Sequence, residues 1–292
     1  MKVNLVELQP LSCKPVFLIG AARSGTKFLR DTLAAHPTTA AIPFDINFVW
    51  RKGNDFLDHD VLTPEMATKN VVNDLRRRLP KLAGASNGAI LIEKTVSNTL
   101  RLPFLFKVFP EAKFIHLVRD GRSVVESVDR LWDQPTTLSY KLRKLRYFPP
   151  SNVAYAAWFA KNSFTRKQSA RVWGTRYEGI YRDMEQHSRL TVCARQWVKC
   201  IDSAERDFRL IDNARVHSVR YESMVSDSQA LSDLCEFLNL DDESSVMNRY
   251  HQTVRNDTAE KWHDKWTDTE KQMLHQELGD TLKRLGYGSV TQ

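Results

Sequence analysis

Residues 16–30 read V-F-L-I-G-A-A-R-S-G-T-K-F-L-R: a short apolar run, a loop bounded by two glycines, and the opening of a helix. Val16 to Ile19 suit a strand buried on both faces of a parallel sheet. Gly20 to Gly25 can then wrap an anion with backbone N–H groups, and a helix starting at Thr26 directs its positive end into the same loop. The segment predicts a phosphate cradle, with a nucleotide as the expected guest.

The details of the loop narrow the choice of nucleotide. A magnesium-dependent phosphate loop follows G-x-x-x-x-G with Lys and then Ser or Thr, the Lys on the terminal phosphates and the hydroxyl on the metal. Here Gly20 and Gly25 have that separation, but Thr26 and Lys27 come in reversed order, which argues against an ATPase or kinase. Arg23 beside Ser24 offers a guanidinium fork suited to phosphate or sulfate oxygens. On this loop alone, an ordinary strand-to-helix turn remains an alternative.

Residues 112–130, A-K-F-I-H-L-V-R-D-G-R-S-V-V-E-S-V-D-R, repeat the strand, turn and helix pattern, with Arg119 at the expected carboxyl end of the strand. In an open parallel sheet that end faces the ligand crevice. Ser127, in the first turns of the following helix, can converge with Arg119 on a further phosphate. Two anion sites on one sheet imply a ligand with phosphate at both ends.

With these two segments in place, the chain resembles the sulfotransferases that use 3′-phosphoadenosine 5′-phosphosulfate (PAPS), most closely the branch of tyrosylprotein and bacterial carbohydrate enzymes. F-L-I-G-A-A-R-S-G-T-K-F-L is similar to that family's 5′-phosphosulfate loop, and F-I-H-L-V-R-D-G-R-S-V-V-E-S to its 3′-phosphate motif. Two such motifs in the right order, about ninety residues apart, are far more specific than either alone. E-K-T-V-S-N-T-L-R-L-P-F resembles the segment that carries the family's catalytic Lys; V-R-Y-E-S-M-V, A-E-K-W-H-D-K-W and the terminal L-K-R-L-G-Y resemble later landmarks.

The resemblance implies a P-loop-like α/β fold, three layers with a central parallel sheet flanked by helices, and a single sulfotransferase domain over 1–292 with a mainly helical insertion near 132–190. It implies an enzyme that moves a sulfuryl group from PAPS to an acceptor hydroxyl without a metal, leaving adenosine 3′,5′-bisphosphate. Arg23, Ser24, Gly25, Thr26 and Lys27 would hold the 5′-phosphosulfate, Lys27 standing where relatives commonly have Thr. Arg119 and Ser127 would bind the 3′-phosphate, Tyr221 and Lys261 would lie near the nucleotide, and Lys94 would be catalytic. The Glu that serves relatives as general base is absent; Asp45, in I-P-F-D-I-N-F, is the nearest acid, with Glu93 and His116 in reserve. The alternatives kept open are a P-loop nucleotide kinase or NTPase and a non-catalytic binding protein for an acidic polymer.

A chain of 292 residues, 42% apolar and 10% aromatic, can bury the core of an enzyme-sized globular unit. No apolar run approaches the ~18 residues of a membrane span, and the first ten residues lack the apolar centre of a secretory signal; a cytoplasmic setting is the expectation. Cys13, Cys193, Cys200 and Cys235 show no metal-binding or disulfide pattern, so packed, reduced thiols are expected. The net charge of +8 is explained in part by a polyanionic nucleotide, met by Arg23, Lys27, Lys94, Arg119 and Arg122. The K-L-R-K-L-R cluster at 141–146 is separate, and solvent, an acidic acceptor and a membrane surface are its candidate partners. No nucleic-acid reader motif is present. The resemblance to bacterial enzymes of this branch, the cytoplasmic expectation and the aromatics of 132–190, which suit an acceptor wall or lid, lean toward a carbohydrate or glycolipid hydroxyl as acceptor, with a protein tyrosine kept as the alternative.

Strands are predicted near 15–19, 89–92, 113–118 and 215–219. Helices are predicted after the first loop as far as His36-Pro37, from Thr63-Pro64 to about Leu79, and over 151–171. The last helix is predicted from a Thr267/Glu270 capping box, with Met273, Leu274, Leu278, Leu282 and Leu285 on its apolar face.

Overall fold

The computed structural model describes residue 8 and residues 10–132, 172–255 and 262–288. The predicted aromatic wall between 133 and 171, the basic cluster at 141–146, the helix over 151–171 and Lys261 lie outside the described residues.

A five-stranded, all-parallel sheet forms the centre, in the order β2-β3-β1-β4-β5. Its strands are β1 (Lys14–Ile19), β2 (Thr39–Ala41), β3 (Ile90–Glu93), β4 (Lys113–Val118) and β5 (Val216–Arg220). Four of these are the predicted strands. β2, a three-residue T-A-A edge strand, carries no apolar run from which to read it. The chain moves from β1 through β2 to β3 on one side and then crosses back over β1 to β4, so β1 lies at the point where strand order reverses. The crevice outside the carboxyl ends of β1, β3 and β4 is where an open α/β sheet binds ligands.

Alternation along each strand divides the core into two faces. Phe17, Leu91 and Phe114 join Trp50, Phe104 and Phe109 on one face, while Val16, Leu18, Ile92, Ile115 and Leu117 join Leu29 and Met224 on the other. All six of Phe17, Leu18, Trp50, Phe104, Phe114 and Leu29 are buried to within 1%. Burying an aromatic or leucine side chain contributes roughly 1.5–3 kcal/mol, so these two layers hold the strand ends, and the loops leaving them, in register.

Around the sheet run α1 (Thr26–Leu33), α2 (Asn47–Trp50), α3 (Lys69–Ala83), α4 (Leu102–Val108), α5 (Gly121–Leu131), α6 (Ile180–Gln186), α7 (Arg189–Phe208), α8 (Tyr221–Ser226), α9 (Gln229–Leu238), α10 (Ser244–Thr253) and α11 (Asp268–Arg284). The helix expected from Pro64 begins later. Pro64–Met66 is a separate 3-10 turn, and Thr68 starts α3 by accepting the Val71 N–H on its side chain, a stronger start signal than the proline. The capping box of α11 forms as read, with Thr267 and Glu270 satisfying each other's backbone N–H groups, and Leu274, Leu278 and Leu282 face the core. All four cysteines are buried and free. No helix among the described residues is long and apolar enough to cross a membrane.

Candidate active site

The loop after β1 takes the alternating backbone handedness that turns successive N–H groups toward one point. Arg23 has φ 70° and Gly25 φ 91°, with Ser24 between them; such a nest is an anion-binding concavity. Close packing forces both glycines. A Cβ on Gly20 would stand 2.6 Å from the Leu117 carbonyl oxygen of β4, and one on Gly25 2.4 Å from the Tyr221 ring. Ser24 is fully buried and its hydroxyl has no hydrogen-bond partner. An unsatisfied buried hydroxyl costs about 1–3 kcal/mol, and a phosphate or sulfate oxygen in the nest would remove that cost.

Arg119 leaves the end of β4 almost buried. Its Nη1 donates to the Arg23 carbonyl at 2.8 Å, its guanidinium lies 4.3 Å from the centre of the Tyr221 ring, and its own carbonyl accepts from Trp197 Nε1 at 3.2 Å. Asp120 caps α5 by accepting the Arg122 N–H, which presents Ser127 two turns into the helix. Arg23 Nε donates to Ser127 Oγ at 2.9 Å. The two phosphate segments therefore meet directly. Burial, and then the nearby charges of Arg119 and Arg130, push the Arg23 guanidinium below its ordinary range. Cations gathered against their own repulsion fit a ligand carrying several negative charges.

On the other side of the nest, the Lys94 ammonium follows β3 and lies 4.0 Å from Asp45 Oδ2. Asp45 is partly exposed and held from two directions, accepting the Asn47 N–H on Oδ1 and the Val96 N–H on Oδ2, each at 3.2 Å. Behind the pair, Glu93 is fully buried. Its carboxyl is pushed up to about 7, by burial first and by Asp45 in addition, against the opposing hydrogen bond from Thr95. His116 does not join this group. It is buried in β4 with its ring 5.3 Å from Phe208, and burial lowers it to about 4.

Lys27 is the second residue of α1. Its side chain is 77% exposed and pairs with Asp31 at 2.8 Å along the outer face of α1, as the i,i+4 spacing favours. Tyr221 is buried as a wedge, filling the space beside Gly25 while supporting the Arg119 guanidinium.

Two features went unread in the sequence. Trp262 stacks under Arg122 at 4.3 Å, a contact for which adjacent aromatic and basic residues gave no directional signal. Beyond Lys94, buried Asp60 gathers Arg51 at 3.2 Å, Arg176 at 2.7 Å, Ser97 at 2.8 Å and Asn47 at 2.9 Å. Burial acts most strongly and would raise the Asp60 carboxyl, but Arg176 and Arg101 together hold it well below the usual carboxylate range. Among the described residues, no group of three or more His, Cys, Asp or Glu side chains could hold a metal ion.

A parallel sheet whose carboxyl edge carries two linked anion-binding loops defines an α/β protein built around a polyanionic ligand. The particular family follows from comparison: residues 15–244 match the model of the Sulfotransferase family, and the chain belongs to that family. Over 124 residues it is 34% identical to protein-tyrosine sulfotransferase 1 of Danio rerio, covering 39% of this chain and 34% of that protein. It is 28% identical over 124 residues to a putative protein-tyrosine sulfotransferase of Caenorhabditis briggsae, covering 39% of this chain and 42% of that one. The match thus spans well under half the length of these curated relatives. The sulfotransferase domain from the curacin biosynthetic pathway superposes with a TM-score of 0.57 at 18% identity, covering 97% of this chain and 100% of that one, which shows a shared fold.

Proposed function

We propose that this chain transfers a sulfuryl group from PAPS to an acceptor hydroxyl. The observation that carries the reading is the direct joining of two strand-loop-helix anion sites by Arg23, through its side chain to Ser127 and its carbonyl to Arg119. A nucleotide with phosphates at both its 5′ and 3′ positions matches that pairing, and a mononucleotide with phosphate at one end does not.

In this reading Arg23, the N–H groups of residues 24–27 and the Ser24 hydroxyl bind the 5′-phosphosulfate, Arg119 and Ser127 bind the 3′-phosphate, and the Arg23 guanidinium joins the two sides through Ser127. The acceptor oxygen attacks sulfur as the bond from sulfur to the bridging phosphate oxygen breaks, and adenosine 3′,5′-bisphosphate departs. Charge grows on that bridging oxygen, and the Lys94 ammonium stabilises it most in the transition state. The acceptor proton goes to Asp45, which its two backbone N–H bonds hold in an oriented position.

The names of the curated relatives favour a protein tyrosine hydroxyl as acceptor over the carbohydrate or glycolipid toward which the resemblance to bacterial enzymes and the aromatic insert lean. A panel of tyrosine peptides and oligosaccharides, assayed with PAPS for sulfated product, separates these classes. The nucleotide half is tested by thermal shift without an acceptor. Saturating adenosine 3′,5′-bisphosphate without magnesium is expected to stabilise by about 2.7 kcal/mol at a hundred times its Kd, with AMP far weaker. Stabilisation by ATP and magnesium alone would return the chain to the kinase reading, and bisphosphate binding without turnover on any acceptor would favour a binding protein. The outward Lys27–Asp31 pair speaks against the kinase.

A further inference from the structure

We propose that Glu93 is a positioning residue that sets the relation of Asp45 to Lys94 by acting through the Thr95 hydroxyl. The inference rests on the catalytic reading of that pair and extends it to a third carboxylate, placed where no substrate reaches.

Glu93 ends β3, directly before Lys94, and its side chain turns into the protein. Oε1 accepts from Thr95 Oγ1 at 2.5 Å, and Oε2 accepts from Asn98 Nδ2 at 2.7 Å. Because the Thr95 hydroxyl spends its one proton on Glu93, its lone pairs face outward, and one of them accepts the Ile46 N–H at 3.1 Å. Ile46 is the residue after Asp45. The residue after Thr95 closes the loop, since the Val96 N–H donates back to Asp45 Oδ2. Glu93, Thr95, Ile46, Asp45 and Val96 thus form a ring of contacts between the segment carrying the base and the segment carrying the cation.

The ring depends on the charge of Glu93. An ionised carboxylate only accepts, so Thr95 must donate to it and remain an acceptor for Ile46. A protonated Glu93 can donate to Thr95 instead, which frees the Thr95 proton to turn toward Ile46 and opposes the N–H bond there. The charged groups facing Glu93 are Asp45 from the loop after β2 and Arg101 from the head of α4, whose Nε is in turn tied to Asn98 Oδ1 at 2.8 Å. The position of the base therefore responds to pH near neutrality.

The test is an amide NMR titration of the full chain from pH 5.5 to 8.5. The Ile46 N–H is expected to shift with a midpoint near 7 in the wild type, to lose that titration in Glu93→Gln, and to exchange with solvent at least tenfold faster in Thr95→Val. A wild-type Ile46 signal that is flat over this range overturns the proposal without any variant, as does an unchanged titration in Glu93→Gln. Asp45→Asn separates the two claims. It is expected to stop sulfuryl transfer and to lower the Ile46 midpoint; a lowered midpoint with transfer intact would remove Asp45 from the chemistry while leaving the link to Glu93 standing.

Discussion

Arg23 Nε donates to Ser127 Oγ at 2.9 Å across 104 residues of chain, so the residue that opens the first anion loop reaches the hydroxyl that completes the second. Hydrogen bonds to charged groups contribute roughly 1.5–3 kcal/mol. Ser127→Ala is expected to weaken adenosine 3′,5′-bisphosphate binding about tenfold and leave AMP binding unchanged, whereas Arg23→Ala weakens both. Isothermal titration with the two nucleotides reads the difference. An equal loss for AMP in Ser127→Ala would detach Ser127 from the 3′ side.

Gly25 is the tightest point in the cradle. At φ 91°, with a Cβ that would fall 2.4 Å from Tyr221 Cδ2, Gly25→Ala combines backbone strain with displacement of the ring that supports Arg119. Strain at such positions costs about 1–3 kcal/mol. The expected outcome is a lowered melting temperature together with loss of bisphosphate stabilisation. Gly84, also at positive φ but with nothing within 4 Å of an added Cβ, provides the comparison: Gly84→Ala should cost stability and leave nucleotide binding intact.

The parts of this molecule legible in its sequence are those where local pattern and function coincide. β1 and β4 are apolar runs that end in the loops they serve, so the same residues announced strand, turn and ligand. The Lys27 side chain was harder, since reading it requires knowing that Asp31 one turn later competes for the ammonium. Tyr221 was singled out only through the resemblance, and its packing as a wedge was not legible, because its partners Gly25 and Arg119 are distant in sequence and their packing follows only from strand order. The Asp60 cluster was invisible for the same reason: Arg51, Ser97 and Arg176 show no periodicity, and only the folded chain brings them to one carboxylate. Similarly, Pro64 was a valid start signal for a turn, and the Thr68 cap beyond it decided where the helix began.

Two buried groups give opposed pH dependences. Glu93 is raised from 4.5 to about 7; between those values the folded chain keeps a proton that the unfolded chain has lost, so stability falls as pH rises, by about 3 kcal/mol over the window. His116 is lowered from 6.5 to about 4; there the unfolded chain holds the extra proton, and stability rises with pH by about the same amount. In the wild type these slopes offset each other between roughly pH 4.5 and 6.5. Glu93→Gln is expected to unmask a rise in urea-unfolding free energy across that interval, and His116→Gln a fall. A Glu93→Gln variant whose difference from wild type is the same at pH 5 and pH 7 would put the Glu93 carboxyl back in the ordinary range.

Lys94 and Asp45 face each other at 4.0 Å, yet the proposed chemistry gives them separable roles. Lys94 meets charge that exists mainly in the transition state, so Lys94→Ala is expected to lower kcat by about 10²–10³ while KM for PAPS changes only a few-fold. Asp45 accepts a proton, so Asp45→Asn should lower kcat by about 10²–10⁴ and leave bisphosphate affinity at the wild-type value. Asn at 45 retains an oxygen for only one of the two backbone N–H groups now held by Asp45, so an unchanged bisphosphate affinity is the control that makes the rate a reading of the lost base. If Lys94→Ala reduces kcat and PAPS affinity by the same factor, its ammonium binds the ground state as strongly as the transition state. Lys94 then belongs with the arginines that hold the nucleotide, and the charge on the departing oxygen must be met from the loop, by the N–H groups around Ser24 and Gly25.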